Sequence, residues 1–583
     1  MALFDSAWYV NYGDGSTTGY YAITKWATGT VIAAGALRRQ NAAPAVGSER
    51  VFVCIVAGTT HATTEPTWIT TRGGKTTDNT VTWQECTGIA ALNGDATNTT
   101  TWNIIKGVAM TLGQVIKRNN GASYQICTTA GTAGSGSEPA FSDTAGVTTA
   151  DNTVTWTSLG AVGNFTGWQA PHARLANAFT TNWGQAGNSF YIGDNHAETQ
   201  ASAMTLTSPG AGGTTCSIYC VNHSGSLPPV SANLLKTATI STTGNSALTV
   251  QGTAYYYGIT FSCGDGANAP ALVMGGNAGI NTLEWCALKS GGTNSSIIRL
   301  GFNSASFVHL INTTLQFSAT GSSIQFNNGN VIWRGNSSSI IGATLPTNLV
   351  TAYNSSIVSF EGVDLSALAS GKTLFSNQNS TAQIILRDCK LGSSVTVASI
   401  GSLGGPRIDL IRCDAGATNY RSERYWFHGT QTIETTIVRT GGASDGTTPI
   451  SWKLVTTANS KWVDPFESHL ISIWNDTTGS AITVTLYGIW GGGAVPNNDD
   501  IWVEAEYLGA SGNPQGSFIT NSKADNLAAG SASSSDSSTW GGSTTKFKMA
   551  VTFTPQMKGP INIVVKAAKA SSTFYIDPKP VLT

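Results

Sequence analysis

Short apolar segments recur at a spacing of about 25 positions between residues 190 and 425, and few folds accommodate such a repeat. A turn-forming residue often lies two positions after the second apolar residue of a segment. An inward leucine lies five positions after that residue at Leu315, Leu365 and Leu391. A unit this short cannot bury its inner face alone, so it must stack on its neighbours. We therefore predict that each repeat forms one rung of a parallel β-helix. The second apolar residue of each segment should lie on the inside, and these residues are Phe261, Trp285, Leu310, Trp333, Phe360, Leu386 and Leu410.

A second repeat covers residues 20–162. Cys54, Glu65, Asp78 and Trp83 reappear as Cys127, Glu138, Asp151 and Trp156, all at the same offset along the chain. About a dozen identities share this offset, which indicates a tandem duplication. Short alternating strands separated by Gly, Pro and Asp-Asn turns predict a small β-module in each copy.

Each module has an upstream Trp, at Trp26 and Trp102, an Ala-Gly-Thr loop, a Glu-Pro-x-aromatic element and a closing Trp. This order resembles the small carbohydrate-binding-like modules of bacteriophage tail and surface proteins. The resemblance implies that four aromatic residues stack on sugar rings. The alternative, which the small size of each module favours, is that they form its core; the four residues are Trp68, Trp83, Phe141 and Trp156.

The rung repeat, together with the opening segment at residues 190–194, resembles the right-handed parallel β-helices of tailed-phage spikes and fibres, which share their fold with pectate lyases. Just before it, Pro171 to Phe179 has the pattern of an amphipathic helix, with Leu175 and Phe179 on one face. We expect this helix to cap the open end of the β-helix core.

After residue 425, apolar and polar residues alternate, as in Ile482, Val484 and Leu486 and from Phe547 to Phe553. Such alternation predicts half-buried antiparallel strands in a β-sandwich of jelly-roll or Ig-like type, with residues 528–545 as a long loop. The predicted fold is therefore all-β. Its four domains are a first module with an N-terminal arm (1–92), a second module (93–165), a β-helix with its capping helix (166–425) and a sandwich (426–583).

Composition excludes several function classes. Only 11% of residues are charged, where about 25% is usual. The net charge is −1, so neither nucleic acid nor an anionic membrane is an expected partner. No apolar run is long enough to span a membrane, and the segment from Met1 to Tyr20 does not have the pattern of a secretory signal. Nine scattered cysteines argue against a disulfide framework, and no cofactor-binding motif is present.

Charged residues on the predicted coils are few. Arg334, Glu361 and Arg387 follow inward residues in successive rungs, which predicts an outward ladder of alternating charge. We interpret this ladder as structural, and a substrate-binding patch is the alternative. Asp194, His196 and Glu198 alternate along one predicted strand, but such ligands rarely converge on one ion, so no metal site is expected. Cys389 and Cys413 share a register, which favours a ladder of small apolar groups over a disulfide.

Together these features predict a non-enzymatic structural protein of a tailed-phage virion. It would be assembled in the bacterial cytoplasm and displayed on the particle as a capsid decoration protein or a tail fibre or spike component. We expect a homotrimer that contacts other virion proteins, with host-surface glycan as a further ligand. The alternative is a tail spike that cleaves a surface polysaccharide, which requires paired carboxylates in a groove.

Overall fold

In the computed structural model the chain divides into two compact units, Met1–Pro346 and Thr347–Thr583. The residues that the structure describes are 6–13, 19–97, 100–180, 184–291, 295–352, 354–376, 382–399, 406–414, 420–428, 431–438, 451–455, 471–475, 479–490, 500–507, 517–518, 530–531, 546–555, 559–567, 569, 571–576 and 581–583.

The predicted all-β class and the parallel β-helix are confirmed. In the first unit the coils form three parallel ladders. The first ladder contains Ala7–Val10, Ser189–Gly193, Cys216–Val221, Ala254–Tyr257, Gly279–Glu284, Ser306–Ile311 and Asn330–Arg334. The second contains Ala197–Gln200, Ala238–Thr242, Ile259–Ser262, Ala287–Lys289, Thr314–Gln316 and Ser339–Ile341. The third contains Met204–Thr207, Leu248–Gln251, Ala271–Met274, Ile297–Leu300 and Ser323–Phe326.

The first strand of the β-helix comes from the very beginning of the described chain. Ala7–Val10 runs parallel to Ser189–Gly193, with Trp8 opposite Phe190 and Val10 opposite Ile192. All four residues of Ala7–Val10 are buried. The segment that we assigned to an arm of the first module is therefore part of the β-helix sheet, and both modules are inserted after this strand.

The register of the early rungs differs from the sequence prediction. Leu283 pairs with Tyr256 on one side and Leu310 on the other, whereas Phe261 pairs with Leu288 in the second ladder. Trp285, expected on the inside, is only half-buried. In each rung a first-ladder strand is followed closely by a second-ladder strand, and both are short and apolar. The repeat spacing alone therefore does not show which of the two strands pairs with a given strand of the next rung.

A turn with left-handed backbone separates the first and second ladder strands in several rungs. In the first unit it is occupied by Trp285, Asn312 and Gly335, with φ values of 53°, 47° and 104°. In the second unit the same position holds Gly362 and Asp388, and Arg412 has the same left-handed backbone within the strand Arg407–Asp414. Gly and Asn adopt this conformation readily, but Trp and Arg do so only when the surrounding rungs impose it.

Each copy of the tandem repeat forms a four-stranded antiparallel sheet with the same strand order. The first module's sheet contains Leu37–Arg39, Val51–Val56, Val81–Glu85 and Lys75–Asp78, and the second module's contains Val115–Lys117, Ser123–Thr129, Val154–Ala161 and Thr148–Asp151. A two-stranded ribbon accompanies each, joining Val31–Ile32 to Gly58–Thr59 and Ala109–Met110 to Gly131–Thr132. Both central strands bulge just after their cysteine, at Cys54 and Cys127.

The expected capping helix is shorter than its sequence pattern. Only Leu175–Ala178 is α-helical, because His172 instead forms a parallel bridge with Val10. Leu175 is fully buried, and the ring of Phe179 packs edge-on against Phe190 at 5.0 Å. The segment therefore covers the start of the core as expected. Within the described residues, the 3-10 turns are Tyr20–Ala22, Ala91–Asn93, Trp102–Ile104 and Ser231–Asn233.

The second unit begins with three parallel ladders of its own. They contain Ile357–Glu361, Gln383–Arg387 and Arg407–Asp414; Asp364–Leu365 and Lys390–Leu391; and Asn348–Ala352, Thr373–Ser376 and Thr396–Ser399. The parallel arrangement ends at Arg407–Asp414, since Tyr420–His428 pairs with it antiparallel.

Two antiparallel sheets follow. The first continues from Tyr420–His428 through Gln431–Val438, Ser451–Val455, Thr573–Ile576, Ile482–Trp490, Lys546–Phe553 and Val581–Leu582. The second contains Ile471–Asn475, Gly559–Ala567, Ile501–Tyr507, Ser517–Phe518 and Gly530–Ser531. Val484, Leu486, Phe547, Met549 and Val551 are buried, as the alternation predicted. Gly530–Ser531 is a strand that pairs with Ile501–Tyr507, rather than part of the expected loop. The rest of 528–545 lies outside the described residues.

Candidate functional site

The four aromatic candidates of the modules differ in exposure. Trp83 and Trp156 are fully buried, and Phe141 is 5% exposed. Trp68 is half-buried and stacks on Phe52, with ring centroids 4.1 Å apart. Of the four, only Trp68 therefore presents a substantial surface to a ligand in this conformation.

A buried aspartate ties two tryptophans together in each module. Asp78 Oδ2 accepts hydrogen bonds from Trp26 Nε1 at 2.7 Å and from Trp83 Nε1 at 3.0 Å. Its other oxygen accepts the backbone N–H of His61. A carboxylate that satisfies three donors is strongly held, because charge-assisted hydrogen bonds are the stronger ones.

The second module repeats this arrangement. Asp151 Oδ2 accepts from Trp102 Nε1 at 2.8 Å and from Trp156 Nε1 at 3.1 Å, and Oδ1 accepts the backbone N–H of Gly134. Sequence reasoning identified the tryptophans and the Asp-Asn turn but missed their connection. The signal was available, since the aspartate and both tryptophans recur in the two copies.

Two residues of the predicted charge ladder, Glu361 and Arg387, are in register but are not ion-paired. Glu361 lies directly opposite Arg387 in adjacent rungs, as expected. The Glu361 carboxylate nevertheless accepts a hydrogen bond from Ser359 Oγ at 3.1 Å, and among the ion pairs of the described residues none joins it to Arg387. In the first unit, Arg334 lies opposite Ile311 and is exposed.

The ion pairs of this region lie nearby. Arg412 donates two hydrogen bonds to Asp388, at 2.9 and 2.7 Å, between residues that both have left-handed backbone. Lys390 lies 3.7 Å from Asp364. These pairs are on the surface, where an ion pair contributes about 0–1 kcal/mol to stability.

The three residues of the Asp194–Glu198 run have different partners. Asp194 Oδ1 is 2.6 Å from His223 Nδ1. His196 Nδ1 accepts the backbone N–H of Tyr12, and Glu198 accepts the backbone N–H of Leu175. Only His196 and Glu198 approach each other, at 3.4 Å. In the described part of the chain no group of three or more His, Cys, Asp or Glu residues is arranged to hold a metal ion.

Buried charges join the first module to the β-helix. Arg174, just before the short helix, lies 2.7 Å from Glu49 of the first module and 3.6 Å from Glu198 of the first rung. All three side chains are at most 6% exposed. Two buried carboxylates around one guanidinium form a structural joint, because removing any partner would leave an uncompensated charge. Sequence reasoning missed this cluster, since its members come from three separate segments.

The carboxylates of the coils whose pKa values are shifted favour the ionised form. Burial opposes ionisation of Asp194, but the backbone N–H and imidazole of His223 outweigh it and lower the pKa of this carboxyl. Burial likewise opposes ionisation of Asp364, and hydrogen bonds from Ser366 together with the charge of Lys390 lower its pKa. A general acid for glycoside hydrolysis needs the opposite shift.

Among the described residues, burial raises the pKa of the Glu85 carboxyl. It lies inside the first module, where it accepts the backbone N–H groups of Thr87 and Gly73. All nine cysteines are described and are buried free thiols, so Cys389 and Cys413 are not joined in a disulfide. Within the described residues, no helix is both long and apolar enough to cross a membrane.

No family model matches the chain, and no curated protein matches it. Among solved structures, the chain is similar to the enzymatically active domain of tailspike protein 4 from bacteriophage CBA120. The identity is 11%, the TM-score is 0.18, and the match covers 96% of this chain and 88% of that one. At this TM-score the likeness carries no argument about the activity of the present chain.

Proposed function

We propose that the chain is a non-enzymatic structural protein displayed on the surface of a tailed-bacteriophage particle, with glycan adhesion as an additional role. The observation that carries the proposal is the attachment of the modules to the β-helix. Strand Ala7–Val10 pairs with Ser189–Gly193, and Arg174 links Glu49 to Glu198 in a buried cluster. Modules attached in this way hold a fixed position on a rigid β-scaffold, which suits display on a particle.

The state of the carboxylates supports a non-enzymatic role. Asp194 is engaged by His223, Asp364 by Ser366 and Lys390, and Glu284 by the hydroxyl of Tyr255 at 2.7 Å. The two with shifted pKa values, Asp194 and Asp364, are stabilised as carboxylates. A polysaccharide-cleaving site would instead need two convergent carboxyls, one of them protonated near neutral pH.

Exposed apolar side chains on the coils support assembly as a homotrimer. Ile280 is 49% exposed and lies opposite the half-buried Phe307 in the next rung of the first ladder. Packing around a three-fold axis would remove such side chains from water and shield strand edges. Multi-angle light scattering of the purified chain tests this, and a monomeric mass at micromolar concentration would contradict it.

Cryo-electron microscopy of the intact particle tests the main proposal by locating and counting copies of the chain. Many trimers over the shell would identify a decoration protein, and a few trimers at the tail would identify a fibre or spike component. Absence from purified particles would refute the virion role. Release of new reducing ends or unsaturated products from host polysaccharide by the purified chain would refute the non-enzymatic role.

A further inference from the structure

A cavity of about 540 Å³ lies where the two modules meet the start of the β-helix. Its walls come from segments far apart in the chain: Thr24 near the N-terminus, Ala34–Leu37 of the first module, Leu159 of the second, the segment 164–169 after it, and His223 from the β-helix. Its size falls in the range of about 300–1,000 Å³ typical of small-molecule sites. The cavity exists only because the modules are joined to the coils.

The wall of this cavity carries almost no charge. All the residues that line it belong to the described chain, and none is Lys, Arg, Asp or Glu; His223 is the one titratable group among them. Polar contacts come instead from Thr24, Asn164, Gln169 and the backbone of glycines. A phosphate or carboxylate ligand would find no counter-charge, so the chemistry fits a neutral ligand with many hydroxyl groups.

His223 is oriented by a second-layer carboxylate. Asp194 Oδ1 lies 2.6 Å from His223 Nδ1 and also accepts the backbone N–H of His223 at 2.8 Å. Since the pKa of Asp194 is lowered, this oxygen acts as an acceptor, and Nδ1 carries the proton. The remaining ring nitrogen, Nε2, takes no part in this contact. It is left for a ligand hydroxyl, which can either donate to it or accept from it.

Trp168 lines the cavity, and its side chain packs into the core with Tyr9, Ala90 and Val221. The residue is 6% exposed, has a left-handed φ of 54°, and contacts Tyr9 edge-on at 4.9 Å. Its indole Nε1 has no hydrogen-bond partner among the described residues. Its ring therefore belongs to the core beside the cavity, and residues with such a left-handed backbone cluster at functional sites.

We propose that this cavity binds a neutral hexose or hexosamine unit of a bacterial surface glycan, with a sugar hydroxyl on His223 Nε2. The inference rests on the proposed surface role and identifies the site of its glycan adhesion. The sugar would bind in the cavity where the modules meet the β-helix, and not at Trp68, Trp83, Phe141 or Trp156.

The test uses the full chain and the methyl glycosides of glucose, galactose, mannose and N-acetylglucosamine, with methyl glucuronide as a charged comparator. Saturation-transfer NMR identifies binders, and calorimetric titration gives affinities. We expect at least one neutral glycoside to bind and methyl glucuronide to bind at least tenfold more weakly. His223→Ala should weaken binding of the neutral ligand at least tenfold, because it removes the oriented imidazole. His61→Ala, at an exposed histidine outside the cavity, is the matched control and should bind like the wild type.

A second variant fills the cavity without touching His223. Ala22 is exposed at the cavity edge, so Ala22→Trp should abolish binding while the thermal unfolding midpoint stays unchanged. Binding that survives both His223→Ala and Ala22→Trp would place the sugar elsewhere and overturn the inference. Equal affinity for the glucuronide, or no binding by any neutral glycoside, would also overturn it. These outcomes leave the virion role intact, because that role is decided by imaging the particle.

Discussion

Glu49 and Arg174 lie 125 positions apart in the chain, yet their side chains meet at 2.7 Å with 2% and 6% of their surfaces exposed. Arg174 also neutralises Glu198, so one guanidinium serves carboxylates from a module and from the first rung. Arg174→Met should therefore leave two buried negative charges without a cation. We expect a loss of about 3–5 kcal/mol in the free energy of unfolding, measured by denaturant titration.

The matched control for this loss is Arg118→Met. Arg118 pairs with Asp143 at the same distance, 2.7 Å, but the Asp143 side chain is 51% exposed. Water screens this pair, and its removal should change the free energy of unfolding by less than about 1 kcal/mol. Equal effects of the two substitutions would contradict the assignment of Arg174 to a buried joint.

Asp78→Ala should destabilise the first module, because the indoles of Trp26 and Trp83 lose their shared acceptor. Each buried donor left without a partner costs about 1–3 kcal/mol. Asp151→Ala should produce the same change in the second module. Hydrogen exchange with mass spectrometry localises each effect, and we expect protection to fall in the altered module alone. An unchanged exchange pattern would show that the carboxylates are dispensable.

Trp83→Ala and Trp68→Ala separate a core role from a ligand role. Trp83 is fully buried, so its truncation should cost about 3–5 kcal/mol in unfolding free energy. Trp68 is half-buried on Phe52, and its truncation should cost about 1–2 kcal/mol. Denaturant titration of both variants measures the difference. A Trp83→Ala protein as stable as the wild type would refute the core assignment.

Stability should fall as the pH drops below about 6.5, the usual pKa of histidine in an unfolded chain. Burial, with help from the charges of Arg50 and Arg72, lowers the pKa of His172 well below 6.5 in the folded protein. Below that pH the unfolded chain binds a proton that the folded chain does not, which favours unfolding by up to about 1.4 kcal/mol per pH unit. His172→Gln should flatten this dependence in denaturant titrations between about pH 5 and about pH 7. A slope in His172→Gln parallel to that of the wild type would contradict the explanation.

Much of the fold could be predicted from the two sequence repeats. The constant offset between the two copies predicted two modules of the same design, since identical residues at identical spacing favour the same local structure. The rung spacing placed Glu361 beside Arg387 and buried Leu365 and Leu391 on adjacent coils. Periodicity is informative here because a parallel ladder repeats its register from rung to rung.

The features that sequence reasoning missed depend on single, non-repeated contacts. Ala7–Val10 is a short apolar segment whose partner strand begins only at Ser189, so no local pattern marks it as part of the β-helix. Trp285 occupies a left-handed turn that its side chain does not favour, and the rungs on either side impose it. The cavity is built from five separated segments, none of which has a recognisable binding motif.

The pairing of Ala7–Val10 with Ser189–Gly193 means that the modules are tethered at both ends. A protease that cuts once within the inserted segment would leave both modules attached, whereas a terminal appendage would be released by one cut. The same topology delays closure of the first rung during synthesis until both modules have left the ribosome. It also lets one module be deleted or exchanged without moving the points where the insertion leaves and rejoins the coils.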